Sequence, residues 1–249
     1  MKARITFLSL LFIASGLMFT SCNDDDDDED DAPPPTTNTE EPSEVPDLPM
    51  ADAALVAVQS KSTQDSPIGP ISIEIGTGVG VFYESGSDNL VAVGAVSLNG
   101  NQLTQNNNNS YTYIPGLSQP TGIDNLDSET TWEVEGGNGF PMIMESPGFT
   151  FPNVGDISGD DTVDRSQDYT ITISSVSSAD SIIYSVSGVT KTLAGNVTSC
   201  TFSSDELSAA PAGVGIIQAA PYAYESVDLS GKSVYFLKEI VVSKSVTIE

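Results

Sequence analysis

Histidine is absent from this chain of 249 residues, and cysteine and basic residues are scarce. Without histidine, a Ser-His-Asp triad, a Cys-His dyad and a His-ligated zinc or iron site are all excluded. Eight Lys and Arg stand against 35 Asp and Glu, which gives a formal net charge of −27. Because such a charge repels a phosphate backbone, we expect no nucleic acid as a partner. We also expect no cofactor and no enzymatic activity.

The first 22 residues have the three-part layout of a secretory signal. Lys2 and Arg4 precede an uncharged apolar run over residues 5–19, and two small residues lead from it to Cys22. This run is shorter than the ~20 apolar residues of a membrane-spanning helix. Residues 19–22, Phe-Thr-Ser-Cys, resemble the lipobox of bacterial lipoproteins, with Phe in place of the usual Leu. The resemblance implies a signal peptide over 1–21 and acylation of Cys22, for example with palmitate. An ordinary cleaved signal is the alternative.

Eight consecutive acidic residues, 24–31, follow the cysteine after a single Asn. This run resembles the export signal that sends lipoproteins of the Bacteroidota to the outer face of the outer membrane. The alternative is a solvated spacer, since blocks of like charge stay disordered. Proline and further acids continue to residue 49 without apolar periodicity. We therefore expect an acidic, disordered linker over 22–49 and a membrane partner bound through the lipid.

From residue 51 onward, apolar and polar residues alternate with the period of two that is typical of β-strands. Examples are residues 71–75, 91–98 and 169–173, and Asn99-Gly100 predicts a tight hairpin turn. The only arguable helical turn begins at a capping box, Ser203 to Glu206. Strand patterns recur every 10–15 residues, so we predict an all-β fold made of antiparallel sandwiches.

Two segments of the second half carry a family resemblance. Residues 164–173 and 199–213 resemble strands of bacterial immunoglobulin-like modules, in which an Arg-Ser-Gln strand pairs with a later Cys-x-Phe-Ser segment. The resemblance implies an immunoglobulin-like β-sandwich over 150–249, after a β-rich domain over 50–149. A single sandwich of about 200 residues is the alternative. Such modules serve mostly as spacers or binding domains, so the resemblance bears on fold more than on function.

An acidic segment, residues 156–168, offers a weak calcium candidate. Oxygen atoms of Asp156, Ser158, Asp160, Thr162 and Asp164 occupy loop positions 1, 3, 5, 7 and 9 of an EF-hand loop. Asp161 stands where that loop requires Gly, and Gln167 stands where it requires Glu. We therefore interpret the segment as an acidic turn that attracts cations weakly.

Aromatic and acidic side chains give two further hypotheses. Tyr111, Tyr113 and Trp132 are candidate glycan contacts, although a sole Trp in a sandwich is more often a core residue. Glu133 and Glu135 lie two apart on one predicted strand and so face the same side. Paired carboxylates could serve a glycosidase, but alternation on a solvated strand places them so by default.

Three small side chains complete the candidate set. Thr162 and Ser181 lie in Asp-Thr-Val and Asp-Ser-Ile sequences that resemble the O-glycosylation sites of Bacteroidota. Cys200 shares a strand face with Thr198 and Phe202, which indicates a buried core residue. If Cys22 is acylated, Cys200 has no partner for an intramolecular disulfide.

Together these observations predict a lipid-anchored, outward-facing, non-enzymatic protein of the bacterial outer membrane that acts by binding or spacing. The ligand, a glycan or a surface protein, is not specified. The alternative function is a glycan-binding lipoprotein accessory to polysaccharide uptake. A carboxylate-dependent hydrolase is a third hypothesis.

Overall fold

The computed structural model of the protein describes residues 51–64 and 71–249. These residues are mostly β-strand, with one helical turn, α1, at Ser204–Leu207. The all-β prediction is confirmed. In chain order the strands are β1 Ala53–Gln64, β2 Ile71–Phe82, β3 Val96–Leu98, β4 Asn101–Gln102, β5 Thr104–Gln105, β6 Tyr111–Thr112, β7 Trp132–Val134, β8 Ile143–Glu145, β9 Asn153–Val154, β10 Ile157–Ser158, β11 Thr162–Val163, β12 Tyr169–Ile173, β13 Val176–Ser177, β14 Ser181–Val186, β15 Val189–Ala194, β16 Ser199–Phe202, β17 Gly213–Leu229 and β18 Lys232–Ile248.

A nine-stranded sheet forms the body, in the order β15-β14-β17-β18-β1-β2-β6-β5, with β11 beside the end of β18. Its centre is the antiparallel hairpin β17–β18, and β1 pairs with β18 in parallel from Ala53 opposite Val234. Strands from both sides of residue 150 therefore share hydrogen bonds in one sheet. The expected division into domains at that residue stays a prediction.

Two tight turns obey the rule that hairpins favour residues with positive φ. Asn99 and Gly100 have φ of 48° and 73° and join β3 to β4, as predicted. Ser230 and Gly231, at 57° and 80°, close the long β17–β18 hairpin in the same way. The strand predicted over 91–98 is shorter than expected, because Gly94 at φ 80° interrupts the extended backbone before β3.

The two faces of the large sheet are both apolar. Its first face packs against the smaller sheets β4-β3-β7-β8 and β10-β12-β16, in a core that contains Phe82, Trp132 and Phe236. A second, separate cluster lies on the opposite face and includes Val58, Leu237 and Val241. The alternation of the strands thus supplies two cores, one on each side of the same sheet.

The capping box of α1 is present as predicted. The side chain of Ser203 accepts the backbone N–H of Glu206, and the Glu206 carboxylate accepts the N–H of Ser203 at 2.7 Å. Lys191 of β15 also reaches this carboxylate, at 2.7 Å. The capping box and the Lys191–Glu206 ion pair together hold the helical turn in place between β16 and β17.

Candidate functional site

Three alternating glycines on β2 make room for the layer that covers the first face of the sheet. A Cβ atom on Gly78 would lie 3.0 Å from the side chain of Leu98 and 3.4 Å from that of Trp132. A Cβ on Gly80 would lie 3.6 Å from that of Tyr111. The missing side chains let large residues of the second layer approach the strand closely.

Gly76 brings a loop into contact with the sheet backbone. Its N–H donates to the Thr121 carbonyl at 2.9 Å, and its carbonyl accepts from Ile123 N–H at 2.8 Å. A Cβ on Gly76 would lie 2.0 Å from the Ile123 carbonyl oxygen, and Gly122, at φ 71°, has the same close approach from the loop side. Only glycine fits at either position, so this pair clamps residues 121–128 against β2.

Buried side chains and internal hydrogen bonds fix the rest of the loop. Ile123 and Leu126 are 3% and 2% exposed and lie in the core. Asn125 adopts a positive φ of 60°, and its carbonyl accepts the N–H groups of Ser128 and Glu129 at 3.1 Å. The Leu126 carbonyl accepts from the hydroxyl of Thr130 at 3.1 Å. The loop is therefore held in one conformation with its polar side chains turned outward.

A cleft of about 420 Å³ lies between this loop and the strands β1 and β2. Gln59 and Glu74 line it from the strands, and the loop contributes Thr121, Asp124, Asn125, Asp127 and Ser128. The Oε1 atom of Gln59 is buried and has no hydrogen-bond partner among the described residues. Glu74 pairs with Lys61 at 3.3 Å. The cleft is thus acidic and rich in hydrogen-bond acceptors.

Such a lining suits a ligand that donates hydrogen bonds, such as a polyhydroxylated molecule. A metal ion is a poor fit. Within residues 51–64 and 71–249, no group of three or more Asp, Glu, Cys or His side chains is arranged to hold one. This cleft is not predictable from sequence, because its acids are scattered over β2 and a loop with no recognisable spacing. The alternating glycines 76, 78 and 80 were the available signal.

Burial removes two of the three aromatic residues from the glycan-contact candidates. Trp132 is 0% exposed and Tyr111 is 2% exposed, so neither ring can stack on a sugar. Both lie on inward-facing strand positions, and Tyr111 accepts the N–H of Val93 through its hydroxyl at 2.9 Å. Tyr113 is half-buried and donates its hydroxyl to Gln119 at 2.9 Å. The core role suggested for Trp132 is confirmed.

Glu133 and Glu135 are both exposed and face the same side, as the alternation predicts. They lie on the outer face of the sheet β4-β3-β7-β8, away from the cleft. Glu135 accepts the N–H of Ala95 at 3.0 Å, and Glu133 accepts from the hydroxyl of Ser97 at 3.4 Å. Met144, which pairs in register with Glu133, is also exposed, as is Met142 just before β8. An open sheet face of this kind provides no enclosure around the two carboxylates.

The acidic segment 156–168 forms short strands and turns in place of a calcium loop. Ser158, on β10, pairs in register with Thr172 of β12, and Thr162, on β11, pairs with Thr247. Asp164 accepts the N–H and hydroxyl of Ser166, and these hydrogen bonds lower its pKa. The candidate ligands Asp156 and Asp160 are exposed. Strand pairing thus spreads the candidate ligands along the sheets, and within the described residues these acids form no group of three that could hold a metal ion.

The two O-glycosylation candidates differ in exposure. Thr162 is exposed, whereas Ser181 is 0% exposed on β14, between β15 and β17 in the large sheet. The Ser181 hydroxyl donates to the Asp180 carbonyl at 2.8 Å. A glycosyltransferase cannot reach that hydroxyl in the folded chain, so Ser181 leaves the candidate set.

Cys200 is a core residue, as predicted. Its side chain is 5% exposed and pairs in register with Ile171. Burial raises the pKa of the thiol to about 11, which outweighs the opposing effect of nearby Lys191. The thiol is therefore protonated at neutral pH and has none of the reactivity of a thiolate.

Two ionisable residues adjacent on β18 are buried on opposite faces of the sheet. Lys238 is 6% exposed, and its ammonium donates to the carbonyls of Phe149 at 2.6 Å and Pro147 at 3.2 Å. Glu239 is 1% exposed, and its Oε2 atom has no hydrogen-bond partner among the described residues. Desolvation raises the pKa of Glu239 well above its usual value. Neither residue could be identified from sequence, because both fall within the otherwise apolar middle of β18, residues 234–242.

Cys22 and the linker over 22–49 lie outside the described residues. In the part of the chain that is described, no helix has the length and apolar character needed to cross a membrane. Comparisons of the chain with protein-family models, curated proteins and solved structures found no match.

Proposed function

We propose that this chain is a lipid-anchored, non-enzymatic protein of the outer membrane surface, which holds a rigid β-sheet body outward for binding or spacing. The support is the sequence Phe-Thr-Ser-Cys at residues 19–22 and the acidic run behind it. An acyl chain on Cys22 anchors the chain without a membrane-spanning helix. Residues 23–49 are then the tether that connects Cys22 to the β-sheet body.

The place where the tether enters the sheet supports a spacing role. Asp52 accepts from the Lys232 ammonium and from Ser233 N–H, both at 2.9 Å, beside the closed end of the β17–β18 hairpin. β1 starts there and runs parallel to β18, so the other end of β18 lies about 55 Å away at ~3.3 Å per residue. The chain thus enters the sheet at one end of its longest strands, and the proposal assigns the opposite end to the side away from the membrane.

Binding of a glycan is the second candidate function, and it is favoured by the cleft beside Gly76. Its acceptor-rich lining matches the hydroxyl donors of sugars, and its volume lies within the range of small-ligand sites. The test is a glycan array probed with the full chain. Loss of binding in Gln59→Ala and Asp124→Ala, with binding kept in Glu133→Ala, would support the cleft. No binding to any glycan would reject this candidate.

Surface location is tested in the native bacterium. We expect protease added to intact cells to remove the body, and Cys22→Ser to release the protein from the membrane fraction. Protection from protease in intact cells but not in lysed cells would contradict the outward orientation. A membrane fraction unchanged by Cys22→Ser would contradict the lipid anchor.

The division into immunoglobulin-like domains over 50–149 and 150–249 belongs to this proposal as an expectation. Two independent domains predict two unfolding transitions in calorimetry, because each has its own core. The sheet shared by β1 and β18 favours a single transition. The number of transitions therefore distinguishes a two-module spacer from one cooperative body.

A further inference from the structure

Both methionines of the described residues lie at one place on the surface, on either side of Ile143, the first residue of β8. Met142 is 75% exposed and Met144 is 69% exposed, whereas Ile143 is 2% exposed and packs in the core. Because side chains alternate along a strand, the two thioethers extend from the same side of the sheet. Single exposed apolar side chains are ordinary, but here the same polarisable group occurs twice on one face.

The backbone beneath this methionine pair is held on both sides. Within β8, Met144 pairs in register with Glu133 of β7. Just before Met142, a turn is closed by two backbone hydrogen bonds between Gly137 and Phe140, of 3.1 and 3.0 Å. The strand pairing and the turn therefore present the two thioethers from a fixed support.

The spacing of the pair allows both sulfur atoms to bond to one ion. Residues separated by two positions on a strand lie about 6.6 Å apart. Two sulfur atoms bound to one metal ion at about 2.3 Å each are at most about 4.6 Å apart. A methionine side chain has three rotatable bonds, so side-chain rotation brings the sulfur atoms together without moving the strand. Among the described residues, β8 is the last strand of its sheet, so no further strand occupies the space beside it.

The surroundings of the pair carry negative charge that no base neutralises. Glu133 lies opposite Met144 in register, and Glu135 is exposed on the same side of the sheet. Within the described part of the chain, the acids that form ion pairs with a lysine are different ones, namely Asp52, Glu74, Asp161 and Glu206. The two free carboxylates therefore attract a cation to the methionine pair.

The chemistry of the two side chains selects the ion. Thioether sulfur is a soft ligand that favours Cu(I), whereas Ca²⁺ and Mg²⁺ require oxygen ligands. We propose that Met142 and Met144 bind one Cu(I) ion at the edge of β8, with the Glu133 carboxylate beside it. Because its ligands are thioethers, this site is separate from the acidic cleft beside Gly76. The inference depends neither on the lipid anchor nor on glycan binding.

Titration calorimetry of the full-length chain carrying Cys22→Ser tests the site, with Ag(I) as an air-stable probe of the same softness as Cu(I). Met142→Leu and Met144→Leu keep the size of the side chain and remove the sulfur. Each should weaken binding by at least about tenfold, the lower end of what even residues that only support metal ligands contribute. Met50→Leu, the same replacement outside the pair, is the matched control and should leave the affinity unchanged. Cys200→Ala should also leave it unchanged, because the buried thiol is not a ligand of this site.

Failure to bind Ag(I), or an unchanged affinity in the variant that lacks both Met142 and Met144, would overturn the proposal. Loss of binding in Cys200→Ala would assign the ion to the thiol and overturn it as well. A second measurement needs no variant at position 142 or 144, because hydrogen peroxide converts exposed methionine to the sulfoxide, which mass spectrometry detects. Ag(I) at about ten times its Kd leaves roughly a tenth of the sites free and should slow oxidation of both residues about tenfold. An unchanged oxidation rate would contradict the site.

Discussion

Replacing the buried acid at position 239 should change how the stability of the full-length chain depends on pH. Burial without a partner for Oε2 raises the pKa of Glu239 well above its ordinary value of 4.5. The folded protein therefore keeps a proton that the unfolded chain releases. Between the two pKa values the free energy of unfolding falls as pH rises, because the folded state binds more protons.

The size of the pH effect follows from a difference of one bound proton between the folded and the unfolded chain. Each pH unit above about 4.5 lowers the free energy of unfolding by at most about 1.4 kcal/mol, until the folded-state pKa is reached. Glu239→Gln keeps the shape of the side chain and has no proton to release. The variant should therefore gain stability relative to the parent as pH rises from 4.5, with a slope of up to about 1.4 kcal/mol per pH unit.

Urea denaturation at a series of pH values measures this difference. Trp132 is the sole tryptophan and is fully buried, so its fluorescence reports loss of the core. Glu84→Gln, an exposed acid, is the matched control and should follow the parent at every pH. Parallel pH profiles for the parent and Glu239→Gln would refute the reasoning, because the carboxyl group would then titrate alike in the folded and unfolded chain.

Three further outcomes are expected. Gly76→Ala should lower the free energy of unfolding by about 1–3 kcal/mol, because its Cβ meets the carbonyl of the clamped loop, whereas Gly116→Ala has open space and should be neutral in the same urea titration. Lys238→Met should cost on the order of 2 kcal/mol by thermal or urea unfolding, since two carbonyls lose a charged donor, and an unchanged midpoint would contradict this. Cys200 should resist alkylation at mildly alkaline pH until urea unfolds the chain, and prompt labelling of the native protein would refute its burial.

The strands and turns of this fold could be predicted from sequence because they depend on local patterns. The alternation in residues 169–173 gives a strict buried-exposed pattern in β12, and Asn99-Gly100 forms the expected turn. The parallel pairing of β1 with β18 could not be predicted. Its partners are about 180 residues apart in the sequence. The alternation of apolar and polar residues indicates which side of a strand is buried, but it does not indicate which strand lies beside it.

The candidate site was less accessible to prediction than the fold. Alternation alone does not say which face of a strand meets a second layer, so it could not exclude Trp132 and Tyr111 as sugar contacts. The glycines that build the cleft are informative only when the loop at 121–128 is seen against Gly76. Glu239 lies in the apolar middle of β18 and is buried. Because burial of an unpaired carboxylate is unfavourable, the sequence alone predicts that an acid at this position is exposed.

Mass spectrometry of the N-terminal peptide, taken from the protein in its native membrane, tests the central claim most directly. The account predicts a peptide that begins at Cys22 and carries a thioether-linked diacylglycerol. A chain that still begins at Met1, or one cleaved elsewhere with an unmodified thiol at residue 22, would contradict the lipid anchor and with it the proposed surface role.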